Sequence, residues 1–255
     1  MVIPKFHVVI PARYNSSRLP GKPIVNIAGT PMVVRVFQCA KAAFSNVEII
    51  VATDDLRIGA VLDTFNVPWE MTCVNHESGA DRIAEVCDNR GWEQDDVVIN
   101  IQGDEPLVPV ELLQKFLAFC QNNLDLEMAT ISAPIEDLDD VFDPHVVKVV
   151  SNMNGCANYF SRNPIPYIRD QSDRELWSVG SFRKHIGIYA YKVDVLKAIA
   201  ASGISPAEEL ERLEQLRALW LGVRVAVMNW TESPPHGVDT PEDVERVTRL
   251  IKEVI

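Results

Sequence analysis

Val8, Val9 and Ile10 are consecutive, β-branched and followed at once by Pro11, so they form a short run that is apolar on both sides and abruptly ended. A strand without a polar face must be covered twice, which is the position of a strand in a parallel sheet with helices on both sides. The chain then enters R-Y-N-S-S-R-L-P-G-K, from Arg13 to Lys22, where cations, hydroxyls and a pliable backbone gather at the strand end. A helical pattern over 31–40 follows. Strand, polar loop and helix in that order make a nucleotide-binding unit, and the basic loop reads as a cradle for a triphosphate. It is neither a Walker A loop nor G-x-G-x-x-G.

Charge points the same way. Residues 1–47 hold Lys5, Arg13, Arg18, Lys22, Arg35 and Lys41 and no acid, although the 255-residue chain has 24 basic and 36 acidic side chains and a net charge of -12. A chain this acidic lacks the extended cationic face that nucleic acid demands, and a small phosphorylated ligand is the anionic partner that remains. The five cysteines are scattered and odd in number, so they suggest neither a disulfide framework nor a C-x-x-C metal site and read as buried thiols. No signal-peptide core opens the chain, and no apolar run approaches the roughly 20 residues needed to span a bilayer. No membrane partner and a cytoplasmic location are expected.

The strand-loop-helix rhythm repeats over 47–65 and again over 97–121, which predicts an α/β fold with a mainly parallel, Rossmann-like nucleotide-binding sheet flanked by helices. Ligands then collect at the C-terminal strand ends. Ser78 and Gly79 punctuate a helix start with Asp81 at the third helical position, and Arg82 reads as a surface charge. The strand over 97–101 runs into Gln102-Gly103-Asp104-Glu105-Pro106, where Asp104 suits a Mg²⁺ site, the alternative being a turn that caps the next helix. From Glu127 short strands and irregular loops replace the rhythm. A smaller inserted subdomain is expected at roughly 133–190 within a single domain spanning 1–255.

That insert holds Arg162, a cation able to meet a ligand carboxylate, and His185 and Tyr189 on one strand. His185 also reads as a satisfied, half-buried imidazole. A continuous helix is expected over 206–220, with Leu210, Leu213, Leu216 and Trp220 along its apolar stripe. Thr240, Pro241 and Asp243 make a well-formed start to the last helix, and Asp239 just before them is left for another task.

Five segments in register, P-A-R-Y-x-S-S-R-L-P-G-K-P from Pro11, Q-G-D-E-P from Gln102, R-K-H-I-G-I-Y-A-Y from Arg183, L-E-Q-L-R from Leu213 and G-V-D-T-P-E-D from Gly237, resemble the 3-deoxy-manno-octulosonate (Kdo) cytidylyltransferases. The resemblance implies transfer of CMP from CTP to Kdo, with release of pyrophosphate, for lipopolysaccharide synthesis. It implies Mg²⁺ on Asp104 and Asp239 and a nucleotide held by Arg13, Ser16, Lys22, Ser78, Gly79, Arg82 and Gln102. Arg13 and Lys22 join the two aspartates as catalytic residues. It assigns Arg162, His185, Tyr189, Glu214 and Gln215 to the sugar, and it makes the insert a sugar-binding and dimerisation subdomain of a homodimer. Ala80 stands where the family usually has Thr. Two alternatives stay open: a cytidylyltransferase for another acid sugar, such as a sialic acid or 8-amino-octulosonate, and a catalytically silent nucleotide-binding regulator.

Overall fold

The computed structural model describes residues 4–16, 19–76, 78–170, 177–235 and 237–254. The chain divides into two compact units, Met1–Ala118 with Pro234–Ile255 and Phe119–Ser233. In the first come β1 (Phe6–Ala12), the small hairpin β2 (Asn26–Ile27) and β3 (Thr30–Pro31), α1 (Met32–Ala43), β4 (Glu48–Thr53), α2 (Leu56–Thr64), β5 (Trp69–Met71), α3 (Gly79–Arg90), β6 (Val97–Asn100) and α4 (Val110–Gln121). Strands β5, β4, β1 and β6 lie side by side in that order, and every pair among them is parallel. Val8, Val9 and Ile10 on β1 are wholly buried, as strands sheathed on both faces should be.

The second unit continues with β7 (Met128–Pro134), α5 (Leu138–Phe142), β8 (Lys148–Ser151), β9 (Ala157–Ser161), β10 (Arg183–Lys192), α6 (Val193–Ala201), α7 (Pro206–Glu211), α8 (Gln215–Trp220) and β11 (Val225–Asn229). β11 is parallel to β7, whereas β7–β10, β10–β8 and β8–β9 are antiparallel. The stretch 133–190 lies inside this unit. Its apolar centre is formed by Ile135, Val141, Val146, Trp177 and Phe182. α9 (Pro241–Val254) returns to the first unit, where Val238 and Val247 complete a cluster with Ile27 and Met32.

Two expectations need correction. The helix over 206–220 is broken: Arg212 takes a left-handed conformation, φ 53°, and its amide closes α7 on the Glu208 carbonyl at 2.7 Å. The break resets the helical phase, so Leu213 and Leu216 are buried while Leu210 and Trp220 are 86% and 60% exposed. The thiols also differ. Cys87 and Cys120 are buried, and burial pushes the Cys120 thiol up to about 12, but Cys73, two residues past edge strand β5, is exposed. Among the described residues no helix is long and apolar enough to cross a membrane.

Candidate active site

A cavity of about 810 Å³ opens at the end of β1, with Arg13, Ser16, Lys22, Gln102, Asp104 and Asp239 in its lining. Pro11 and Ala12 deliver the chain into the basic loop, whose neck is closed by the Gly21 amide on the Tyr14 carbonyl at 3.2 Å. Gly21 has a φ of 68°, which favours glycine there. Ser16 Oγ accepts the Leu19 amide at 3.3 Å and so steadies the loop from within. Ser17 and Arg18, also read as part of the cradle, lie outside the described residues.

Lys22 closes the cavity floor. Its Nζ donates to Asp104 Oδ2 at 2.6 Å and to Asp239 Oδ1 at 2.7 Å. Burial works against its charge, but the two carboxylates outweigh that and hold the ammonium above its ordinary value. Backbone geometry makes this meeting possible. A Cβ on Gly103 would stand 2.8 Å from the Pro11 carbonyl oxygen, and one on Gly237 would press on Glu105 Oε1 at 2.9 Å. With both side chains absent, the Val238 amide reaches the Asp104 carbonyl at 2.9 Å.

Asp239 is steadied from its other side by the start of α9. The Asp239 and Thr240 amides donate to Asp243 Oδ2 at 3.0 and 3.1 Å, and Thr240 Oγ1 accepts the Asp243 amide at 3.3 Å. Arg246 adds a bond to Asp243 Oδ1 at 2.9 Å. Burial alone would raise the Asp243 carboxyl, but these donors, Arg246 first, hold it below its usual range.

Ser78 caps α3 in a reciprocal box with Asp81. A Cβ on Gly79 would contact Pro11 Cγ at 3.7 Å and Gln102 Nε2 at 3.8 Å, so this helix start adjoins two residues of the cavity lining. Arg82, one turn deeper, is 3% exposed and spends its guanidinium on Thr72 Oγ1 and, at 2.9 Å, on Asp54 Oδ2. It is an internal brace in this structure rather than a surface charge. Gln102 Nε2 makes a long bond to Asn100 Oδ1, 3.4 Å.

In the second unit, His185, Tyr189 and Tyr191 form a row of rings with centroids 5.3 and 5.7 Å apart. Between Ile186 and Tyr189 the ladder advances three residues on β10 and one on β7, from Ile131 to Thr130. Two extra residues are an even number, so His185 and Tyr189 keep the same face while being drawn together. Thr130 Oγ1 fills the bulge, contacting the Ile188 carbonyl at 2.8 Å and His185 Nε2 at 2.9 Å. The hydroxyl has one proton and a carbonyl can only accept it, so His185 Nε2 is the donor and Nδ1 the acceptor. Burial pushes the imidazole down to about 3, and it pushes the Tyr189 phenol well up, helped by Tyr191 and the Glu214 carboxylate. Gln215 is buried at the first position of α8, and Glu214, which precedes it, is exposed.

Arg162 is engaged differently from the expectation of a carboxylate ligand. Its guanidinium donates to the carbonyls of Glu211 at 2.6 Å and Arg212 at 3.4 Å, a cation set on the C-terminal end of α7, and to that of Pro144, in the loop after α5, at 2.8 Å. Its amide adds a bond to Glu211 Oε2 at 2.9 Å. Arg162 thus secures the break after which Glu214 and Gln215 begin the next helix.

The cytidylyltransferase family model matches residues 7–225. A 3-deoxy-manno-octulosonate cytidylyltransferase 2 of Paraburkholderia phytofirmans is 48% identical over 246 residues, covering 96% of this chain and 93% of that one. The chain belongs to the 3-deoxy-manno-octulosonate cytidylyltransferase family. A family member from Pseudomonas fluorescens is 47% identical over 250 residues, 97% of this chain and 98% of the other. A solved structure of CMP:2-keto-3-deoxy-manno-octonic acid synthetase complexed with CTP superposes with a TM-score of 0.89 at 38% identity, covering 98% of this chain and all of that one, 100%. The fold reaches further: a putative glucose-1-phosphate thymidylyltransferase of Bacillus anthracis matches with a TM-score of 0.66 at 16% identity, over 98% and 96% of the two chains.

Sequence reading of this cytidylyltransferase passed over Asp54, Tyr14, Thr130 and Arg183. Asp54 sits just past β4 and receives both Arg82 and the Tyr14 amide, the latter at 3.2 Å. Its place after a buried run ending in Thr53 was the available signal. Arg183 Nε donates to Ser132 Oγ at 2.8 Å, and Nη2 to the carbonyls of Ser132 and Trp230 at 3.0 and 2.8 Å, partners that no spacing along the chain announces.

Proposed function

We propose that the chain transfers CMP from CTP to the anomeric hydroxyl of Kdo, releasing pyrophosphate and activating the sugar for lipopolysaccharide synthesis. The observation that carries this reading is the meeting of Lys22, Asp104 and Asp239 at the floor of the basic cavity. The sugar hydroxyl gives its proton to solvent as its oxygen attacks the α-phosphorus, the bond to the bridging oxygen breaks, and pyrophosphate departs with that bond's electron pair. Positioning two anions and neutralising that charge is the protein's main task. Arg13 and Lys22 hold the triphosphate, with Ser16, Ser78, Gly79 and Gln102 around the nucleotide and Arg82 bracing the wall behind it.

Asp104 and Asp239 are the residues that would hold Mg²⁺. The fit is chemical: two hard carboxylates already share one cationic partner, and Mg²⁺ takes one or two carboxylates while keeping its remaining positions for water and phosphate. When bound, the ion lowers the pKa of the attacking hydroxyl and screens its approach to the phosphate. In the second unit His185 Nδ1 accepts from a sugar hydroxyl, Tyr189 offers a protonated phenol, and Glu214 and Gln215 supply further polar groups. Arg162 orders that pair by capping α7. The same reading makes the protein a cytoplasmic homodimer, with the stretch 133–190 taking part in sugar recognition and dimerisation.

Pyrophosphate release with CTP, Mg²⁺ and a panel of acid sugars tests this. Kdo should be the preferred acceptor. Preference for a sialic acid or 8-amino-octulosonate would assign another sugar, and no release with any of them would make the chain a silent nucleotide binder.

A further inference from the structure

Arg57 lays its guanidinium over the Tyr14 ring, 3.4 Å from the ring centroid. The stack is fixed from both sides. Asp55, the N-cap of α2, takes Arg57 Nε at 2.9 Å and Nη2 at 2.6 Å while accepting the Arg57 amide at 2.8 Å. Those bonds hold the Asp55 carboxyl down at about 2, so it stays charged at neutral pH. On the other side Tyr14 is tied by its backbone at both ends, its amide to Asp54 and its carbonyl to the Gly21 amide. A side chain on Gly21 would meet the Tyr14 ring and hydroxyl at 3.4 Å, so the ring lies directly against the residue that precedes Lys22.

The contacts therefore run in an unbroken line from the N-cap of α2 through Arg57, Tyr14 and Gly21 to the ammonium between Asp104 and Asp239. We propose that Tyr14, stacked on Arg57, is a positioning residue that fixes the neck of the 14–21 loop and so places Arg13 and Lys22 for the triphosphate. A neck held before substrate arrives spares binding the cost of ordering the loop. The role rests on the cradle reading above, and its signature is in nucleotide binding rather than in the chemical step. A guanidinium stacked on a tyrosine is a modest contact, so its loss is read as about a tenfold change.

The experiment measures KM and kcat for CTP at saturating Kdo and Mg²⁺ in Tyr14→Ala, Arg57→Ala, the double variant, Tyr14→Phe and Lys22→Ala, with melting temperatures alongside. Tyr14→Ala should raise KM for CTP about tenfold with kcat within about threefold of wild type, and Arg57→Ala should do the same. Because the two act as one device, the double variant should be no worse than the worse single one. Tyr14→Phe keeps the ring and should restore KM to within about twofold. An unchanged KM in Tyr14→Ala overturns the inference, as do effects of the two singles that multiply independently. Tyr14→Phe as impaired as Tyr14→Ala also overturns it, by assigning the work to the hydroxyl. Arg57 is exposed, so Arg57→Ala remains informative if Tyr14→Ala does not fold. Lys22→Ala separates the two levels: normal CTP kinetics there overturns the cradle reading itself, whereas impaired Lys22→Ala beside normal Tyr14→Ala and Arg57→Ala overturns the positioning role alone.

Discussion

Lys22 Nζ and Asp104 Oδ2 stand 2.6 Å apart across 82 positions of sequence, and the bond makes lysine the counter-charge of a carboxylate pair. Replacing Lys22 by Met keeps the bulk of the side chain and removes the charge. The repulsion between the two carboxylates then loses the cation that offset it. Lys22→Met should lose about 1 kcal/mol of stability, a discounted value because both carboxylates are partly exposed. Millimolar Mg²⁺ should raise its melting temperature more than that of the wild type. Thermal melts with and without Mg²⁺ check this, and equal shifts in the two proteins would refute it.

Asp104→Asn and Asp239→Asn are nearly isosteric and each removes one charge. Either should lower Mg²⁺-dependent turnover by about a hundredfold or more, since metal stabilisation of the transition state is worth several kcal/mol. Melting temperatures should stay near wild type. Turnover across a Mg²⁺ titration, run beside the melts, separates a lost ligand from a lost fold.

Arg217 clasps Glu208 through Nε at 2.8 Å and Nη2 at 2.6 Å with both side chains 8% exposed. Breaking a pair this buried removes the carboxylate from a cation that stays inside, with the Ile199 carbonyl at 3.4 Å among its remaining partners. Glu208→Ala should cost about 3–5 kcal/mol. The Ser205 hydroxyl still caps the Glu208 amide, but the Ser205 amide loses Glu208 Oε2 at 3.2 Å, so the loss combines the ion pair with one cap bond. Urea midpoints measure it, and a loss below about 1 kcal/mol would show that Arg217 finds another partner.

His185 gives a pH signature. Its folded value of about 3 is far below the ordinary 6.5, so between these values the unfolded chain binds a proton that the folded chain refuses. Stability attributable to this residue is therefore whole above about pH 6.5 and drains as pH falls toward 3, at up to about 1.4 kcal/mol per pH unit. His185→Gln should show a shallower fall between pH 7 and 4 than the wild type. Denaturant unfolding at each pH tests the difference, and parallel curves would contradict it.

The first unit was legible because its signals are local. A β-branched run ended by proline, a basic loop and a helix occupy neighbouring positions, and Val8–Ile10 folded as such a run must. Three features were not. Arg82 was unreadable as an internal brace because Asp54, its partner, lies 28 positions away and is brought near only by the sheet order. The break at Arg212 rests on a left-handed residue with no glycine or asparagine to mark it. Arg162 reads as a sugar-binding cation from its type, yet its guanidinium answers three backbone carbonyls, two of them, those of Glu211 and Arg212, placed by where α7 stops. Glu214 and Gln215 came from family likeness alone, because nothing in the pattern separates them from the other polar residues around them.

The return of α9 to the first unit has a consequence in time. Asp239 is synthesised 135 residues after Asp104, and Val238 and Val247 must dock on Ile27 and Met32 before the two carboxylates share a partner. A ribosome that has made the whole first stretch, through α4, carries a nascent chain that holds the four parallel strands of the first unit and whose cavity floor is still half built. Until the last helix emerges, Ile27 and Met32 lack their cover, and the lysine and one aspartate wait for the other.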